Sequence, residues 1–173
     1  MPEIFNLIVT AIIAVLVFIT GQIILKFVIE PIQNLNKFKG ELTHTLTFYM
    51  AYITNPTYDS KADDATKAKQ EKKIEEVFYI FRDLACEILK LYNVIPRYNF
   101  WRKPFNFIVR DNPLPESIVI QKVHRDLIFL SNSIHITENQ NEKMRENNKR
   151  IDKIINEFNL KIRYPHFEPS QKK

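Results

Sequence analysis

The chain has 173 residues, with 25 Lys and Arg against 20 Asp and Glu, a formal net charge of +5. Its two glycines, Gly21 and Gly40, leave no way to write a phosphate-binding P-loop or a dinucleotide-binding turn, where backbone must approach phosphate closely. The single cysteine, Cys86, excludes an internal disulfide and a cysteine-based structural zinc site.

Residues 7–25 read LIVTAIIAVLVFITGQIIL, without a charge and polar only at Thr10, Thr20 and Gln22. A helix of that length crosses the roughly 30 Å hydrocarbon core of a bilayer. The leader Met1-Pro2-Glu3 lacks the basic residues of a cleavable signal peptide, and a soluble core helix would keep a polar stripe. Lys26, Lys37 and Lys39 follow the run and no Lys or Arg precedes it. The basic excess predicts an outward N-terminus and a cytoplasmic remainder. Gly21 has Leu25 rather than a small residue four positions on, so no close-packing dimer motif is present.

Pro31 predicts a break after the anchor and a second helix kinked from the first. Ile32, Leu35, Phe38, Leu42, Leu46, Tyr49 and Ile53 then recur at threes and fours, one stripe that ends before Asn55-Pro56. Such a stripe exceeds what a lone juxtamembrane helix can bury. Leu35, Phe38, Leu42 and Leu46 are therefore the expected self-association positions, in a homo-oligomer or against a protein partner. Ser60 is the expected cap of a third helix that is polar at first. Further on it carries Ile74, Val77, Phe78, Phe81, Leu84, Ala85, Ile88 and Leu91, where the core should centre. Cys86 lies in this apolar stretch, which predicts a buried, inert thiol.

Prolines 96, 104, 113 and 115 make residues 92–115 the longest expected connection. Pro115 opens a fourth helix with Ile118, Val123, Leu127, Leu130 and Ile134. Thr137 and Gln140 match a capping box for a last helix bearing Met144, Ile151, Ile154, Ile155 and Phe158. No stretch alternates with period two. The expectation is an all-α chain: a transmembrane anchor over 1–30, a small cytoplasmic antiparallel helical bundle over 31–160, and a flexible basic tail over 161–173.

The stretch GQIILKFVIEPIQ over 21–33, followed by Gly40-Glu41-Leu42 and Leu130-Ser131-Asn132-Ser133, resembles small bacterial single-pass membrane proteins of unknown function. The resemblance covers the first forty or so residues best. It implies a bacterial inner-membrane setting and this architecture, and no activity or cofactor.

Residues 97–110, RYNFWRKPFNFIVR, carry Arg97, Arg102, Lys103 and Arg110 among Tyr98, Phe100, Trp101, Phe105 and Phe107, with no acid. Three readings stay open. The cations and rings suit an anionic lipid surface, or a nucleotide or single-stranded nucleic acid, or the rings plug the bundle while the cations stay wet. Arg97, Tyr98, Trp101, Arg102, Lys103 and Arg110 are the candidate contacts. Catalytic signals are thin. Glu41 and His44, at i,i+3 on the second helix near Glu30, could share a face as a general-base pair, against the plainer reading of a surface pair on that helix. The His124-Arg125-Asp126 triplet lacks the glycine-rich loop and DFG of a kinase. Among His44, His124, His135 and His166 no two stand at i,i+4 and no HExxH occurs, so no metal site is written locally. These features predict a non-enzymatic interaction or scaffold protein. The alternatives are a membrane effector that senses a ligand and perturbs the bilayer, and a small membrane-bound enzyme.

Overall fold

The computed structural model describes residues 2–54, 63–110, 112–134 and 140–162, with Gln140 by its backbone alone. Among these the chain is helical and forms no strand. Helix α1 (Pro2–Ile24) buries no residue. The Thr10 and Thr20 hydroxyls donate to the Asn6 and Leu16 carbonyls at 2.8 Å, so these two polar groups inside the apolar run are satisfied by their own helix. The helix is long and apolar enough to cross a membrane. Among the described residues nothing covers it.

The expected break at Pro31 is absent. One continuous helix runs Pro2–Thr54, comprising α1, a π-helical turn (Leu25–Ile29) and α2 (Glu30–Thr54). Pro31 has no N–H to give the Phe27 carbonyl, and its ring crowds that oxygen. The chain widens there instead of stopping: the Glu30 N–H reaches the Leu25 carbonyl, one residue beyond the α-helical partner.

The α2 stripe is buried within the monomer. Ile32, Leu35, Phe38, Leu42, Leu46 and Ile53 are all at most 2% exposed. This corrects the assignment of Leu35, Phe38, Leu42 and Leu46 to self-association, because α3 and α6 already cover the face they form. The core also begins at Val28, inside the segment assigned to the anchor.

Helix α3 (Asp64–Asn93) starts at Asp63, whose carboxylate accepts from the Thr66 N–H at 3.2 Å. Hydrogen bonding from the Thr66 side chain, and then from its N–H, holds the Asp63 carboxyl below its usual pKa. The Ser60 cap and the Thr137 capping box lie outside the described residues. Ile74, Val77, Phe81, Leu84, Ala85 and Ile88 of α3 are buried. Cys86, one residue round from Ala85, is exposed, which corrects the expected buried thiol. Helix α5 (Ser117–Ser133) packs on α3 in the most extensive contact of the bundle. The Ser131 hydroxyl donates to the Phe78 carbonyl at 3.2 Å, so the small polar residues of α5 mark a close helix approach. His124 Nδ1 lies 2.7 Å from the Ala85 carbonyl, which only accepts, so the proton sits on Nδ1.

Helix α6 (Gln140–Phe158) closes the bundle. Buried Asn147 donates to the Ile53 carbonyl at 2.8 Å, satisfying an acceptor in the last turn of α2. Asp126 of α5, met above only in the His124-Arg125-Asp126 triplet, is buried between Arg150 at 2.7 Å and Lys153 at 3.0 Å.

Candidate membrane-facing site

Helix register decides which end of the bundle meets α1. The Lys73 ammonium sits 5.2 Å from the Tyr49 ring centre, and the Tyr49 hydroxyl is 3.5 Å from Glu76. Asn112 and Pro113, just ahead of α5, bond Asn36 and Lys39 near the start of α2, so α3 runs antiparallel to α2 and ends beside its first turns. The His124–Ala85 and Ser131–Phe78 bonds run α5 antiparallel to α3, so α5 begins where α3 ends. Residues 94–110 and 112–116 therefore occupy the end of the bundle nearest α1. Val28 is 7% exposed and lies three residues past Leu25, about 4.5 Å along the helix. A bilayer's polar layer is about 5–7 Å deep on each side. A bundle whose core starts at Val28 thus reaches the level of the headgroups of any bilayer that α1 spans.

This segment holds a helix, α4 (Tyr98–Ile108), where its prolines predicted a connection. Pro104 lies inside it and forgoes only the bond to the Phe100 carbonyl. Tyr98, Trp101 and Phe105, at i, i+3 and i+7, turn toward the core; that spacing was the signal available in the sequence. The Tyr98 hydroxyl donates to the Pro115 carbonyl at 2.8 Å, and its ring meets Tyr92 edge-on at 5.1 Å. Burial raises the phenol well above its ordinary pKa and keeps it a neutral donor. The Asn106 side chain accepts from the Leu114 N–H at 2.6 Å and donates to the Leu114 carbonyl at 3.0 Å, clamping the return of the chain. Arg102 pairs with Glu116 at 3.1 Å.

The six candidate contacts therefore divide. Tyr98 is buried, Trp101 and Arg102 are half-buried, and Arg97, Lys103 and Arg110 are exposed. The outward face carries apolar residues that the candidate set had left out. Phe100 is 64%, Phe107 75% and Ile108 78% exposed, and with exposed Pro104 they follow i, i+4, i+7, i+8 spacing. Arg110 stacks over Phe107 at 6.0 Å. Arg97 caps α4 in the left-handed conformation, φ 50° and ψ 47°. Beside it opens a cavity of about 490 Å³ lined by Tyr92, Ile95, Arg97, Tyr98, Asn99 and Phe100.

Elsewhere the chemistry stays dispersed. Glu41 and His44 are both exposed, and His44 stacks on Phe48 at 6.0 Å. Among the described residues no group of three or more His, Cys, Asp and Glu side chains is placed to hold a metal ion. Lys39, counted above as a flanking cation, is buried instead. Its ammonium donates to Asn112 Oδ1 at 2.7 Å and the Pro113 carbonyl at 2.9 Å, and lies 5.9 Å from the Phe158 ring centre. Comparison with protein families, with curated proteins and with solved structures finds no match to this chain.

Proposed function

We propose that the protein is a single-pass membrane-anchored helical scaffold, non-enzymatic, whose bundle seats on the cytoplasmic face of a bacterial inner membrane through α4. The outward Phe100–Pro104–Phe107–Ile108 stripe at the anchor-proximal end carries this reading. Aromatic and aliphatic side chains at that level suit the acyl boundary, with Arg97, Lys103 and Arg110 placed for anionic headgroups. Each cation contributes about 1 kcal/mol near an anionic surface, too little to hold a free domain but ample for one already tethered at high local concentration. The basic residues Lys26 and Lys37 after the apolar run support the cytoplasmic orientation. The resemblance over 21–33 supports the bacterial inner membrane.

Trp101 is the only tryptophan; it is half-buried on α4 with its ring 5.2 Å from that of exposed Phe100, near enough to report lipid reaching the stripe. In full-length protein reconstituted with anionic lipid, brominated acyl chains should quench Trp101. Phe100→Asp with Phe107→Asp should remove the quenching while helicity is kept, since both rings are exposed. Unchanged quenching in that variant would refute the seating of α4.

The 490 Å³ cavity beside Arg97 favours a second reading, a membrane effector whose bundle senses a nucleotide-sized ligand at the junction with the anchor. Its signature is a ligand-dependent rise in melting temperature that Arg97→Gln abolishes.

A further inference from the structure

A second pocket, of about 220 Å³, lies where α2, the segment after α4 and the end of α6 meet. Asn36, Lys39, Thr43, Asn112, Asn159 and Lys161 supply its polar lining. We infer that this pocket binds a small soluble oxyanion of the phosphate class.

Lys39 is only 4% exposed, yet its two hydrogen-bond partners are neutral. Among the described residues no carboxylate forms an ion pair with Lys39 or Lys161. A buried ammonium without a counter-charge is costly, and an anion would remove that cost. Burial alone holds the Lys39 ammonium down at about 8, which agrees with a cation lacking an acidic neighbour. Two of its three N–H donors are engaged, leaving one. The Asn112 amide donates to Asn36 Oδ1 at 3.4 Å, which orients the Asn36 amide as a donor. Two ammonium groups and side-chain amides thus line one small space, a donor set for tetrahedral oxygen.

Size and depth narrow the occupant. Pockets for drug-sized ligands run about 300–1,000 Å³, so this one suits a smaller group. Asn36 is the lining residue nearest the anchor, eleven residues past Leu25, about 16 Å along the helix. That depth exceeds the polar layer of a leaflet, which selects a soluble anion over a lipid headgroup. The depth argument rests on α1 spanning a bilayer; the donor set does not. Bound there, the anion would cross-link the anchor helix to the return segment of α4 and to the end of α6.

Full-length protein in detergent is titrated with inorganic phosphate at constant ionic strength, read by calorimetry and melting temperature. Saturable binding at one site is expected, weakened about tenfold or more by Lys161→Gln or Asn159→Gly, the loss of a charge-assisted hydrogen bond in each case. Asn159 has φ 52°, so glycine keeps its backbone conformation and deletes only the amide. Lys39→Met should abolish binding; should it unfold, the two rim variants decide. No phosphate binding, or equal binding in both rim variants, overturns the proposal. A second arm uses phosphate-free nanodiscs. A melting shift with phosphatidate that free phosphate cannot reproduce in detergent would assign the site to lipid and overturn the soluble ligand. The detergent titration is indifferent to whether α1 spans a membrane, so the two readings fail separately.

Discussion

Arg97 and Lys39 were both read as surface cations, and tertiary context gives each a different meaning. A left-handed backbone costs a non-glycine residue about 1 kcal/mol, so Arg97 sits where glycine would be at ease. Arg97→Gly should therefore leave the melting temperature unchanged or higher while weakening adhesion of α4 to anionic vesicles; a large stability loss would make its side chain structural. Lys39 has its pKa lowered from 10.5 to about 8. Below pH 8 it is charged folded and unfolded, and the full cost of burial is present. Between pH 8 and 10.5 the folded state binds fewer protons than the unfolded state, so stability rises with pH. That rise is on the order of 3 kcal/mol at most. Lys39→Met should abolish it, which is visible as the difference between two denaturation series across that window.

At the scale of elements, the long stripe on α2 and the short helix α4 exchange the roles that their sequences suggest. The stripe is regular and apolar enough to read as an interface, and α3 and α6 supply that interface inside one chain. Leu42→Ala should accordingly destabilise the bundle by about 2–5 kcal/mol, measured by denaturant unfolding in detergent. A change in oligomeric state with unchanged stability would restore the self-association role. Helix α4 was hidden because four prolines in its neighbourhood read as loop signals. One proline removes a single bond within an 11-residue helix, and Tyr98, Trp101 and Phe105 anchored in the core outweigh it. Pro31 behaved alike: the π-helical turn absorbed it and the helix continued into the core.

For the whole molecule, the proposed topology has a native reporter in the one cysteine. Cys86 is exposed on α3. With the bundle in the cytoplasm, a membrane-impermeant maleimide should label inverted vesicles and leave intact spheroplasts unlabelled; the reverse pattern would invert the topology. The apolar anchor, the all-helical class and the core stripes of α2, α3, α5 and α6 were legible from residue order alone. Spacing at threes and fours determines which face of a helix is apolar, and hydrocarbon length determines what can span. What covers each face was not legible, since burial depends on which helices meet. Only the packing of the helices showed the self-association stripe to be occupied, Cys86 to face outward, Lys39 to be enclosed and residues 94–110 and 112–116 to gather at the α1 end of the bundle. Those are properties of register between distant segments, and no local pattern encodes register.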